Sequence, residues 1–204
     1  MRIYLVRHGR TEYNEQGIVQ GGEVNSELTE VGIEGALQAG EKLKEVNFDK
    51  VYASPLGRTM ATAKYLLKGQ GKPEDETIYP LEGFKEFMFG SWEGKKVSEL
   101  KEHPQYLNLK QAPEKYDPTE MGGETYSQLV ARSYAELEKL AKHHAESDTV
   151  LVVSHAVTIT TLLKHLQGYD VADYRRDGLI DNTSISIVET CDKGKTWKVL
   201  KING

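Results

Sequence analysis

Short apolar runs alternate with amphipathic, helix-spaced stretches along almost the whole chain. Arg2 to Val6, Val51-Tyr52-Ala53, Thr77 to Leu81 and Thr149 to Val153 read as strands. The run Val150-Leu151-Val152-Val153 is apolar on both faces, as expected of a buried parallel strand. Between the runs, Ile33, Ala36, Leu37, Gly40 and Leu43 recur at helical spacing behind a Thr29 N-cap, predicting a helix that ends near Val46. Ser54-Pro55 marks a helix start, with Ser54 as cap and Pro55 in the first turn, running to Leu67. Thr11 caps a short turn over Glu12 to Glu15. Tyr126, Leu129, Val130, Ser133, Leu137 and Leu140 outline a long amphipathic helix, and Leu162, Leu163 and Leu166 another. Thr183 to Val188 and Trp197 to Ile202 read as closing strands.

Alternating strands and helices predict an α/β fold, a three-layer α/β/α sandwich around a mostly parallel sheet. Gly83 to Gly94 is aromatic and glycine-broken and reads as irregular; residues 95–122, with Pro104, Pro113 and Pro118, read as short helices forming a small cap inserted into one domain spanning 1–204.

Composition narrows the function classes. Hydrophobic residues make up 38% and charged residues 28% of 204, ordinary for a soluble globular protein. The formal net charge is −5, which argues against a nucleic-acid partner, since such binding neutralises phosphates with Lys and Arg. One cysteine, Cys191, excludes an internal disulfide and fits a reducing compartment. No apolar stretch approaches the ~20 residues of a membrane-spanning helix, and Arg7 and His8 interrupt any signal-peptide core at the N-terminus. The expected setting is cytoplasmic, with no membrane partner.

Three apolar strands end abruptly in ionisable clusters: Arg7-His8-Gly9, Ser54-Pro55-Leu56-Gly57-Arg58 and Ser154-His155. Singly, each is an ordinary polar strand end. In a parallel sheet all three lie on one edge, where ligands of open α/β sheets bind. Two histidines and two arginines gathered there predict a compact cationic pocket. A neutral histidine is a nucleophile, an arginine fork holds two phosphate oxygens, and Arg58 in a first helical turn adds free N–H groups.

Further residues fall in order around these clusters: Leu5-Val6-Arg7-His8-Gly9, Asn14, Gln20-Gly21, Leu28-Thr29, Ser54-Pro55-Leu56 with Arg58, Glu86, Trp92-Glu93-Gly94 and Ser154-His155. The ordered set resembles the histidine phosphatase superfamily, the phosphoglycerate mutase-like fold, over nearly the whole chain. The resemblance implies a phosphohistidine intermediate, no metal and no other cofactor. It implies His8 as nucleophile, Arg7, Arg58 and His155 around the equatorial oxygens, Asn14, Gln20 and Gly21 at the phosphate, and Glu86 as general acid and base. The neighbours Phe84, Phe87, Met88 and Phe89 predict an apolar setting that suits an acid; Glu82 and Glu93 are weaker candidates for that role. Glu27, Thr59 and Ala156 depart from the usual family residues at their positions, outside the catalytic set. His103, His143, His144 and His165 read as structural or surface residues.

The expected partner is a small phosphorylated metabolite, and the expected reaction phosphomonoester hydrolysis. A cofactor-dependent phosphoglycerate mutase shares the nucleophile; against it, residues 95–122 hold five lysines and no arginine to clamp a second anion. A silent phospho-ligand-binding protein would lack the nucleophile or the acid, and both candidates are present. A metal centre on His8 and His155 is disfavoured by the flanking Arg7 and Arg58. Oligomeric state and substrate identity stay open.

Overall fold

A computed structural model describes residues 1–204. Six strands form one sheet in the order β3-β2-β4-β1-β5-β6: β1 (Arg2–Arg7), β2 (Lys50–Ala53), β3 (Ile78–Pro80), β4 (Thr149–Ser154), β5 (Ile185–Glu189) and β6 (Lys198–Lys201). The first four are mutually parallel; β5 and β6 close the edge antiparallel. Alternation along β4 explains the two cores. Val150 and Val152 face a cluster with Leu137 and Leu140 of α6 (Tyr126–His143) and Ile159, Leu162 and Leu163 of α7 (Ala156–Leu166). Leu151 and Val153 face the opposite cluster, with Ala39 of α2 (Glu30–Lys42) and Ala63, Leu66 and Leu67 of α3 (Gly57–Gly69). The three-layer α/β arrangement is the one the strand–helix alternation predicts.

The residues between β3 and α6 form a third cluster of their own. Phe87, Phe89, Trp92, Leu100, Leu109, Tyr116 and Met121 pack against Tyr126, Leu129 and Val157. Phe87 is fully buried in it, and its ring centroid stands 5.1 Å from those of Phe89 and Tyr126. The short helices α4 (Val97–Leu100) and α5 (Pro104–Gln111) lie in this region, as the prolines imply.

Three local expectations differ. The helix after β2 starts at Gly57, not at Pro55, and Leu56 at its cap position makes no side-chain bond. The cap comes from a distant loop: Asn25 Oδ1 accepts from Arg58 N at 3.0 Å. Ser54 is thereby free to face His155 Nε2, at 2.8 Å. Helix α2 ends at Lys42, because Leu43 and Val46 close i→i+3 turns instead. Strand β5 begins at Ile185 because Thr183 adopts φ 56°, which bends the chain into a turn.

Candidate functional site

Register brings the three strand ends together. Arg7 pairs with Ser154 across β1 and β4, and Ala53 with Val153 across β2 and β4. One residue on, His8 N donates to Ser154 O and Ser54 N to Val153 O, both at 2.9 Å. Arg7-His8, Ser54 and His155 therefore share one edge, as the sequence predicts, and the His8 and His155 rings meet edge-on with centroids 5.3 Å apart. Gly9 is required by close approach: a Cβ there would lie 2.5 Å from Gly32 O at the start of α2. Behind the edge, Asn182 Nδ2 donates to His8 O at 2.9 Å and Thr183 N to Arg7 O at 3.1 Å.

The His8 tautomer follows from its surroundings. Nδ1 lies 2.8 Å from Gly9 O, which can only accept, so Nδ1 carries the proton and Nε2 the lone pair. Burial, then Arg58, then Arg7 hold the His8 pKa well below 6.5. His155 is held well below 6.5 by the same order of causes, burial and then Arg58. Both imidazoles are neutral at physiological pH.

The arginines are positioned by main chain. Arg58, 1% exposed, donates from Nη1 to Val24 O at 2.7 Å and from Nη2 to Gly21 O at 2.8 Å. The Gln20 amide, with its oxygen toward the guanidinium, accepts from Arg58 Nε at 2.8 Å. Burial brings the Arg58 pKa down to about 10, leaving it charged at neutral pH. Arg7 Nη1 donates to Ile180 O at 2.6 Å. Two buried polar atoms at this edge have no partner, Arg7 Nε and His155 Nδ1. Arg7 Nε can only donate, and a buried donor rarely goes unmatched, so it offers this edge a hydrogen bond for an incoming acceptor.

Gly21 stands differently from expectation. Like the buried Arg58 and His155, which stand behind the cavity wall, it does not line the cavity in front of His8; its carbonyl anchors Arg58, and a Cβ on it would clash with Glu93 Oε1. Asn14 and Gln20 do line the cavity. Asn14 accepts from Thr11 N through Oδ1, within a capping box on α1 (Glu12–Gln16), which leaves its amide nitrogen as the free donor.

Glu86 also lines the cavity, 4% exposed. Its setting is a ring of donors, not the apolar pocket that the neighbouring aromatics imply, because those rings turn into the third core cluster. Oε1 accepts from Phe87 N at 2.8 Å and Thr158 N at 3.1 Å, and Oε2 from Val157 N at 3.2 Å. The carboxyl thus sits on the first turn of α7, where N–H groups are unpaired and the helix dipole favours negative charge. Oε2 takes one backbone bond and retains a lone pair for a proton. The two other candidate acids are committed elsewhere: Glu82 pairs with Lys85, and Glu93 accepts from Glu23, Val24 and Phe89 N–H groups.

Arg132 and Glu124 support the acid from behind; Glu124 falls in the Gly122-Gly123-Glu124-Thr125 stretch that matches the family pattern, whereas the sequence did not single out Arg132. Arg132 donates to the carbonyls of Gly83, Lys85 and Glu86 at 2.8, 2.8 and 3.0 Å and to both oxygens of Glu124 at 2.9 and 2.5 Å. Glu124 in turn accepts from Met88 N at 3.0 Å. The available signal was an arginine close to the apolar face of α6, three residues after Leu129. Lys110 and Arg175 were missed as well, and both line the cavity. Arg175 was hidden in a charged, non-periodic stretch beside Arg176.

The other histidines have structural partners. His103 caps α5, His143 bonds Lys139 O, and His144, expected near the surface or in a structural role, is buried between Tyr52 Oη and Asp148. His165 Nδ1 lies 3.3 Å from Tyr174 Oη. No group of three or more His, Cys, Asp or Glu side chains is placed to hold a metal ion. No helix is long and apolar enough to cross a membrane.

Compared with known proteins, residues 3–203 match the model of the histidine phosphatase superfamily (branch 1). The chain is 30% identical to Phosphoserine phosphatase 1 of Hydrogenobacter thermophilus, over 100% of its own length and 92% of that protein. It is 29% identical to the 2,3-bisphosphoglycerate-dependent phosphoglycerate mutase of Bartonella tribocorum, over 95% and 94% of the two chains. Among solved structures it is similar to Bacillus stearothermophilus YhfR, with a TM-score of 0.89 and 30% identity, covering 99% of this chain and 96% of that one.

Proposed function

This chain belongs to branch 1 of the histidine phosphatase superfamily, and from that premise we propose that it hydrolyses small phosphomonoesters through a phosphohistidine formed on His8. The observation that carries the reading is the pair of neutral, buried imidazoles beside two arginines, with Arg7 Nε and His155 Nδ1 left as unpartnered polar atoms.

The transferring phosphoryl group spreads charge over three equatorial oxygens, so positioning and electrostatics supply most of the catalysis. Arg7, Arg58, His155 and the Asn14 amide are the donors for those oxygens. His8 Nε2 attacks phosphorus in line as the bond to the leaving oxygen breaks. Glu86 delivers its carboxyl proton to that oxygen. Water then attacks the phosphohistidine, Glu86 takes a proton from it, and inorganic phosphate leaves with His8 neutral again. No step uses a metal. Residues 1–204 act as one domain, with 95–122 as a cap over the cavity. The single cysteine agrees with a cytoplasmic setting.

A phosphoglycerate mutase is the second reading. It is favoured by Lys110 and Arg175 at the cavity, which supply the cations that residues 95–122 lack as arginines. Against it, Phe87-Met88-Phe89-Gly90 after the acid offers no further basic group. Purified protein is expected to release phosphate from p-nitrophenyl phosphate without added metal and at the same rate in excess chelator. Chelator-sensitive turnover would reject the mechanism. Interconversion of 2- and 3-phosphoglycerate without net phosphate release would move the assignment to a mutase.

A further inference from the structure

Ser54 carries a fully buried hydroxyl outside the set of nucleophile, acid and phosphate donors. Its Ser-Pro pattern marks a helix cap, yet Asn25 supplies the cap and α3 starts only at Gly57. Main chain fixes the residue on both sides. Ser54 N donates to Val153 O at 2.9 Å. Its carbonyl lies 2.8 Å from the Thr59 hydroxyl, which also reaches Leu56 O at 2.6 Å and so braces the turn. The side chain then has one partner: Oγ stands 2.8 Å from His155 Nε2, and Nε2 has no other.

Two proton arrangements fit this pair. With the ring proton on Nε2, His155 donates to Oγ. The buried hydroxyl proton is then left without an acceptor, and Nδ1 offers phosphoryl oxygens only a lone pair. With the ring proton on Nδ1, the hydroxyl donates to Nε2, and Nδ1–H is the single donor left over. The second arrangement strands fewer buried groups, and an incoming oxygen satisfies the one that remains.

We propose, on the phosphatase reading of the site, that Ser54 is a positioning residue: its hydroxyl donates to His155 Nε2, holds the ring as the Nδ1–H tautomer and thereby makes Nδ1 a donor to the transferring phosphoryl group. Ser54 touches neither substrate nor reacting atoms. It acts through His155, because the hydrogen bond at one ring nitrogen decides what the other presents. His8 is set by the opposite kind of partner. Gly9 O accepts from its Nδ1, which leaves Nε2 as a lone pair. A carbonyl behind one ring and a hydroxyl donor behind the other thus make one nucleophile and one donor from two neutral imidazoles.

The full chain, isotope-labelled at the histidine ring nitrogens, tests this by long-range proton–nitrogen NMR at neutral pH, which distinguishes protonated from unprotonated ring nitrogens. The His155 signals are those lost in His155→Asn. Wild-type His155 should show a protonated Nδ1 and an unprotonated Nε2, and in Ser54→Ala the Nδ1–H share should fall. Turnover of p-nitrophenyl phosphate by Ser54→Ala should lose about tenfold in kcat, as the loss of one well-aimed hydrogen bond implies, with KM little changed. A wild-type ring protonated at Nε2, a Ser54→Ala ring still wholly in the Nδ1–H form, or a Ser54→Ala kcat equal to the wild type's would each overturn the proposal while leaving phosphatase activity in place. The wild-type spectrum decides even where Ser54→Ala fails to fold. p-Nitrophenyl phosphate left intact by the wild type would instead overturn the reading of the site itself.

Discussion

Replacing Arg132 by methionine tests whether the acid is held in place from behind. All of the guanidinium's nitrogens are in use: three carbonyls of the Gly83–Glu86 segment and both oxygens of Glu124. The variant keeps the aliphatic stem but leaves the Glu124 side chain, 8% exposed, without its partner. Breaking a buried pair in this way costs about 3–5 kcal/mol. Arg132's side chain is 21% exposed, so water reaches part of the site and the loss reduces to about 2–4 kcal/mol. For a chain of this size that lowers Tm by on the order of 10 °C. Arg132→Met with Glu124→Gln should recover part of the loss, since no buried charge remains. Glu86 loses the anchor on its own carbonyl, and a displacement of about 1 Å costs on the order of a hundredfold in the step it serves. The assay is kcat/KM for an alkyl phosphate and for p-nitrophenyl phosphate below the variant's Tm. An alkoxide must be protonated as it leaves, whereas p-nitrophenolate is a good leaving group, so the alkyl substrate should suffer far more. A parallel fall in both substrates would refute the positioning role and leave Arg132 a structural residue only.

Glu86→Gln removes the proton donor itself. It should slow alkyl phosphates by about 10²- to 10⁴-fold and p-nitrophenyl phosphate much less, read from the slope of log kcat/KM against leaving-group pKa; an unchanged slope would assign the acid elsewhere. Stability should fall as pH drops below about 6.5, because unfolded imidazoles take up protons there while the folded His8 and His155 stay neutral. In thermal melts from pH 8 to 5, His155→Asn should flatten the decline, and an identical slope in the variant would count against a depressed His155.

Much of the site was legible because its residues sit at strand ends. Arg7-His8, Ser54 and His155 follow apolar runs, and a parallel sheet has only one edge for them. Asn14 and Glu86 came from the ordered resemblance rather than from their own surroundings, and the setting of Glu86 was misjudged. Aromatic neighbours in sequence implied apolar neighbours in space, yet Phe87 turns inward and the carboxyl meets the N-terminus of α7, seventy residues further on. The cap of α3 was misplaced for a related reason: Asn25 satisfies Arg58 N from a distant loop, which no local pattern reveals. Arg132 and Arg175 depend on which way a helix face and an irregular segment turn, and one-dimensional spacing does not contain that.

The central claim is a covalent phosphoryl group on His8 Nε2. Rapid acid-free quenching of the wild type with a radiolabelled phosphomonoester, followed by peptide mapping, should place an acid-labile, base-stable label on the peptide containing His8, and His8→Asn should carry none while still folding. Label retained in His8→Asn, or turnover by the wild type with no labelled enzyme at any time point, would contradict the account.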